Sequence, residues 1–135
     1  MKRRLITFTD FTRLNVIRDR TSLKSNKFDV LEQFYNELDT AAIFPPGHIS
    51  SKVVTMNSTV LLKDLRNGEE FELTITYPHF DARGDKNISI YHPIGMALLG
   101  RMERDEVTWN TPEGFGRYEI LKVVYQPEAV GVNYV

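Results

Sequence analysis

Ile88-Ser89-Ile90-Tyr91-His92-Pro93-Ile94-Gly95-Met96-Ala97-Leu98-Leu99-Gly100 is the stretch whose reading decides the fold. Apolar residues at 88 and 90 flank a polar one, which is the spacing of a short strand. Pro93 and Gly100 then bracket a short helix. Proline's missing N–H is not needed in a first helical turn, and glycine accepts the left-handed backbone that ends a helix. Ile94, Ala97 and Leu98 have core spacing, which predicts Met96 on the exposed side. The stretch predicts a strand, a tight corner and a helix.

The flanking segments read as strands. Val53 to Met56 opens this part, and Val60 to Lys63 has strand spacing up to the turn signal Asn67-Gly68. Glu70 to Tyr77 alternates, with Phe71, Leu73, Ile75 and Tyr77 inward and Glu70, Glu72, Thr74 and Thr76 outward. Pro78 ends it, and Asp81 to Asn87 is a charged loop. After the helix, Val107 and Trp109 lie on a strand. Pro112-Glu113-Gly114 turns the chain into Tyr118 to Tyr125, where Leu121, Val123 and Tyr125 are predicted on one face. Trp109 and Tyr118 face each other across that hairpin as a packing pair. The prediction for residues 47–135 is an antiparallel sheet with one short packed helix.

Residues 1–46 have a different periodicity. Leu5 to Phe8 is extended. Thr9 or Asp10 caps a helix to about Arg20 with Phe11, Leu14 and Ile17 on one face. Thr21 to Asn26 is a turn. A second helix from Asn26 or Lys27 carries the stripe Leu31, Phe34, Tyr35, Leu38, Ala41 and Ala42. Two amphipathic helices with a short turn predict an antiparallel hairpin. Phe44-Pro45-Pro46-Gly47 ends it as a linker, because proline removes the N–H and restricts the residue before it. The fold class is therefore α+β.

The chain has 135 residues, 41% hydrophobic and 26% charged, with net charge −1 and no cysteine. A near-neutral chain favours a protein partner over nucleic acid, and direct sequence-specific nucleic-acid binding is not expected. Thiol chemistry and Cys-based zinc are excluded. Met1-Lys2-Arg3-Arg4 is basic, but Leu5 and Ile6 alone precede Thr7, so no signal peptide or membrane span is read. The cytoplasm is the expected location. His48, His79 and His92 are the three histidines, none at metal-ligand spacing. No phosphate loop, carboxylate pair or nucleophile motif stands out, so no catalytic residue, cofactor or metal is expected.

Four ordered segments carry a family resemblance: Val53-Val54-Thr55-Met56-Asn57-Ser58, Tyr77-Pro78, the Ile88–Gly100 stretch, and Tyr125-Gln126-Pro127-Glu128-Ala129-Val130-Gly131. Together they resemble the Rnk family, small bacterial proteins named for regulation of nucleoside diphosphate kinase and related to the C-terminal half of Gre transcription elongation factors. The strand-corner-helix also resembles the "Ile-Ser-Val-x-Ser-Pro-Ile-Ala" segment of Gre factors. The resemblance implies an FKBP-like C-terminal domain behind the N-terminal hairpin. It also implies binding to RNA polymerase at the secondary-channel rim, in competition with Gre-type factors. The partner-contacting residues it points to are Tyr91, His92, Pro93 and Ile94, with Met96 beside them.

The sequence departs from the Gre pattern at the hairpin. Gre factors carry acidic residues at the tip of a long coiled coil, where they help hold a metal ion for transcript cleavage. Here the longer helix has about 15 residues, or roughly 22 Å. Its turn carries Arg18, Arg20, Lys24 and Lys27 beside Asp19 and Asp29. A hard cation wants clustered oxygen ligands, so no stimulation of transcript cleavage is expected. A direct modulator of nucleoside diphosphate kinase and an FKBP-type peptidyl-prolyl isomerase are the alternative readings. The isomerase would need an aromatic-lined pocket, which the sequence does not signal, and fold alone does not carry function.

Overall fold

The computed structural model describes residues 3–20, 28–78, 86–111 and 114–131. The chain is α+β. Strand β1 (Leu5–Thr7) runs directly into helix α1 (Phe8–Arg20), and helix α2 (Phe28–Asp39) leads into strand β2 (Ala42–Phe44). Strands β1 and β2 pair in parallel, Leu5 with Ala42 through Thr7 with Phe44. Ala42 therefore leaves the helical stripe it was expected to extend. Leu31, Phe34, Tyr35, Leu38 and Ala41 are buried as that stripe predicts. Leu14 is buried, with Phe11 and Ile17 packed beside it. The two helices touch where the Tyr35 hydroxyl donates to the Leu14 carbonyl at 2.8 Å. The turn expected at Thr21 to Asn26 lies outside the described residues, as do most of its basic side chains.

Helix α1 begins one to two residues earlier than its predicted caps. Thr7 is the cap: its Oγ1 accepts the Asp10 amide N–H at 3.0 Å, satisfying an otherwise orphaned helix donor. The Asp10 carboxylate is thereby left to bond outside its own helix.

The remaining strands are β3 (Thr59–Asp64), β4 (Glu70–Thr76), β5 (Asn87–Ser89), β6 (Glu106–Thr111) and β7 (Gly114–Tyr125), with helix α3 (Pro93–Leu98) between β5 and β6. They form one sheet in the order β5-β4-β3-β7-β6. The β3–β4 hairpin closes at Asn67-Gly68 as predicted, with Asn67 Oδ1 accepting the Glu69 N–H at 2.9 Å. On β4, Leu73, Ile75 and the following Tyr77 are buried as alternation requires and Phe71 is half-buried, but Thr76, expected outward, is buried because β5 pairs beside it and its Oγ1 donates to the Ile88 carbonyl at 3.2 Å. Trp109 stacks on Tyr118 with centroids 4.5 Å apart and planes 7° from parallel, so both rings serve packing.

Two further expectations are corrected. The sheet is not wholly antiparallel, because β5 pairs in parallel with β4, Thr74 beside Asn87. β5 starts level with Thr74 and runs in the same direction as β4. On β7, the inward residues are Tyr118, Ile120 and Val123, while Leu121 is half-buried and Tyr125 exposed. The register shows why. Leu62 pairs with Ile120 but Leu61 with Lys122, and Val60 pairs with Val123 but Thr59 with Tyr125. Leu121 and Val124 are each one residue too many, and each bulge reverses the in–out alternation.

Side chains of the helical part and of the sheet share one core. Ile6, Leu14, Phe34, Tyr35 and Leu38 belong to the same buried cluster as Val54, Met56, Val60, Ile75, Leu98 and Ile120.

Candidate partner-docking site

The strand-to-helix corner between β5 and α3 is built from short-range bonds. Ser89 Oγ accepts the Tyr91 N–H at 3.0 Å, and the Ser89 carbonyl accepts the His92 N–H at 2.9 Å. His92 caps α3: its Nδ1 accepts the Ile94 N–H at 3.1 Å, and Pro93 occupies the first turn. An accepting Nδ1 means that neutral His92 carries its proton on Nε2. Gly95 is required by proximity, since a Cβ there would stand 2.6 Å from the Ser89 carbonyl oxygen. At the far end, Gly100 has φ +81°, a left-handed backbone that glycine adopts without strain. Its amide donates to the Val54 carbonyl at 2.8 Å.

These bonds give the corner its face. His92 is exposed, and Tyr91, Pro93 and Ile94 are half-buried, with Tyr91 and Ile94 packed against the core. Met96 is not on the exposed side, as the helical spacing predicted; it is 7% exposed and part of the core. Helix α3 is covered by the sheet on one side and by the N-terminal segment on another, so a six-residue helix has little free circumference. In this arrangement Met96 supports the corner from beneath.

Three residues that sequence reading gave other roles fasten the helical part to this corner and to the sheet. Arg4 is buried, and its Nη1 donates to the carbonyls of Met96 and, at 2.8 Å, of Leu99, the open carbonyl end of α3. Its Nε donates to Glu37 Oε1 of α2 at 3.0 Å, and Arg101 lies 3.5 Å from the same oxygen. Burial pushes the Arg4 guanidinium below its ordinary pKa, and the Glu37 carboxylate offsets part of that. Tyr35 is the second. Its hydroxyl proton goes to Leu14, so the Tyr91 hydroxyl, 2.8 Å away, donates to the Tyr35 oxygen. The two rings meet edge to face at 6.5 Å, and the Arg18 guanidinium lies 5.0 Å from the Tyr35 ring centre. A tyrosine within an apolar helical stripe was the available signal, because its buried hydroxyl needs a partner.

Asp10 is the third. Its carboxylate accepts the Met56 N–H and the Tyr77 O–H, each at 3.0 Å, so α1 is tied to the entry and exit of the β3–β4 hairpin. Burial pushes its pKa up to about 6, the Met56 amide pulls it down, and the nearby Glu128 charge raises it further. Burial and the Asp10 charge together raise Tyr77, which stays protonated. Behind this seam, Thr55 Oγ1 donates to Glu128 at 2.8 Å, and the buried Gln126 donates to the carbonyls of Ser50 and Val53, both at 2.8 Å. The C-terminal tail is thereby strapped onto the segment that leads into β3.

Among the described residues, no group of three His, Cys, Asp or Glu side chains could hold a metal ion, and no helix is long and apolar enough to cross a membrane. His79 and most of the charged loop at Asp81 to Asn87 lie outside the described residues. An apolar hollow of about 410 Å³ is lined by Phe8, Ile43, Phe44, Pro45 and Pro46 and presents no catalytic group.

Residues 49–125 match the family model of the transcription elongation factor GreA/GreB C-terminal region. The regulator of nucleoside diphosphate kinase of Escherichia coli is 31% identical over 94% of this chain and 93% of its own length. Transcription elongation factor GreA of Clostridioides difficile is 38% identical over 65% of this chain, which spans 55% of that protein. The solved structure of a prokaryotic transcription elongation factor GreA/GreB from Nitrosomonas europaea superimposes with a TM-score of 0.73 at 36% identity, covering 93% of this chain and all of that one. The match spans β3 to β7 and the corner itself, and the chain belongs to the GreA/GreB C-terminal family and, within it, to the Rnk group.

Proposed function

We propose that this protein is a bacterial transcription regulator that binds RNA polymerase near the secondary channel and competes there with Gre-type factors, without chemistry of its own. The observation that supports it most is the family match over residues 49–125, which includes the whole β5–α3 corner. The contact residues proposed are Tyr91, His92, Pro93 and Ile94, with Met96 holding the corner from below. Residues 47–135 act as an FKBP-like docking domain, and residues 1–46 as a short helical hairpin. Helices α1 and α2 have 13 and 12 residues. At 1.5 Å per residue each is about 20 Å long or less. A hairpin of that reach blocks the rim without delivering acidic residues to a catalytic metal, so transcript cleavage is not stimulated. The protein works in the cytoplasm and needs no cofactor.

Labelled protein titrated with purified bacterial RNA polymerase tests this directly. Saturable binding, displaced by an unlabelled Gre factor and weakened by Tyr91→Ala or Pro93→Ala, is the expected result. Absence of binding at micromolar polymerase would refute it, and RNA cleavage in stalled complexes would refute the steric mechanism. The name of the E. coli relative supports a second reading, direct modulation of nucleoside diphosphate kinase. Capture of the purified kinase with polymerase absent would favour that reading.

A further inference from the structure

We infer that the helical part sets the shape of the docking corner, with Tyr35 as its positioning residue, an inference that rests on reading the corner as the polymerase contact. Helix α3 is gripped at both ends by residues 1–46. At its entry, the Tyr91 hydroxyl donates to Tyr35, which donates to the Leu14 carbonyl, both at 2.8 Å. At its exit, Arg4 binds the Met96 and Leu99 carbonyls while Glu37 of α2 holds the guanidinium. The backbone completes the grip: the Leu5 N–H donates to the Gly100 carbonyl at 3.0 Å, and a Cβ at Gly100 would stand 2.7 Å from Arg4 Cβ. Tyr91 is a proposed contact residue whose side-chain hydroxyl is bonded to the helical part. Its side chain can turn toward a partner only at the cost of that bond, or hold its face to the partner because of it.

Packed elements of this kind pass a change at one end to the other, so the orientation of α1 and α2 and the affinity of the corner are coupled quantities. A helical part displaced inside a partner channel loosens the corner, and a docked corner holds the helical part in place. The chain would therefore bind as one rigid unit, not as two flexibly joined modules.

The test is a double-mutant cycle on the full chain with Tyr35→Phe, Tyr91→Phe and the pair, read by polymerase affinity and by amide hydrogen exchange over Tyr91 to Gly100. Removing one such bond is expected to weaken binding about fivefold to tenfold. Tyr35→Phe, which also loses the bond to Leu14, should lose at least as much as Tyr91→Phe, the double variant no more than Tyr35→Phe alone, and exchange at the Met96 and Leu99 amides should quicken in all three. Unchanged affinity in Tyr35→Phe, or losses that multiply in the pair, would overturn the coupling while leaving polymerase binding intact. If the unmodified protein does not bind polymerase, the docking reading fails and exchange alone decides the coupling. Faster exchange in Tyr35→Phe then supports it, and unchanged exchange overturns it. Should Tyr35→Phe fold poorly, Tyr91→Phe removes the same bond from the half-buried side, and exchange at Met96 and Leu99 decides the coupling in the same way.

Discussion

Replacing Asp10 with asparagine should make the protein more stable at neutral pH, although it removes a charge that makes two hydrogen bonds. The carboxylate is 4% exposed and has no cation among its shown partners, which are the Met56 amide, the Tyr77 hydroxyl and Thr7. Arg13 lies close enough to act on Tyr77 but is not among the groups that act on Asp10, and Glu128 on the tail repels the charge. Hydrogen bonds do not offset the loss of water, so ionisation is moved from the ordinary 3.8 to about 6. The folded state therefore holds its proton more tightly than the unfolded chain. The stabilising contribution is fully present below pH 3.8 and is lost as pH rises through about 6. Raised from 3.8 to about 6, the carboxyl costs about 3 kcal/mol as an upper bound when it is charged at pH 7. Asparagine keeps an acceptor for Met56 and has a donor for the Tyr77 oxygen, but leaves the Tyr77 proton to find another acceptor at about 1 kcal/mol. The net gain at pH 7 is about 1–2 kcal/mol.

Urea unfolding of both proteins across pH 4 to 7.5 measures this. The stability difference between Asp10→Asn and the natural chain should grow over this range by about 2.4 kcal/mol and level off above pH 7. Other acids titrate in both proteins and cancel, so the slope isolates Asp10. A difference that stays flat over this range would refute the reasoning, since it would mean Asp10 ionises in the fold as it does in the open chain.

Gly95→Ala should destabilise the fold by about 2 kcal/mol or more in the same assay, because the new methyl meets the Ser89 carbonyl of a packed strand end. Arg4→Met should cost about 2–4 kcal/mol, as the Met96 and Leu99 carbonyls lose their donor while Glu37 keeps only Arg101 at 3.5 Å. Thermal melting reads that loss, and a variant as stable as the natural chain would show the buried guanidinium to be dispensable. Arg104→Gly should instead stabilise by about 1 kcal/mol, since Arg104 holds φ +76° and its exposed pairing with Glu119 contributes little. Urea unfolding checks it, and a loss of stability would mean that the Arg104 side chain holds more than that ion pair.

What the sequence made legible was periodicity and punctuation. Pro93 and Gly100 marked α3, Asn67-Gly68 marked a hairpin, and the even spacing from Phe71 to Tyr77 marked the buried face of β4. Each is a local rule that surrounding structure leaves intact. The misreadings fall where a non-local partner changes a local rule. Leu121, Val123 and Tyr125 alternate correctly as letters, but pairing with β3 leaves Leu121 and Val124 as extra residues, and a bulge cannot be seen until the neighbouring strand is known. Met96 lies on the outer side of α3 by helical spacing, yet the N-terminal segment covers α3 as well, and nothing near residue 96 announces a neighbour some ninety residues earlier. Arg4 and Asp10 read as a basic start and a helix cap because arginine and aspartate at a chain's beginning are ordinarily solvated. Both are buried here because strand β1, which runs between them, brings Arg4 against the end of α3 and Asp10 against Met56 and Tyr77 beside the β3–β4 hairpin. Tyr91 is different, since its place in the corner motif was legible while its bond to Tyr35 was not. The motif identifies which residues build the corner. The long-range bonds decide how firmly they are held, and it is that second property, absent from any local pattern, that would make a short hairpin and a sheet domain behave as a single body.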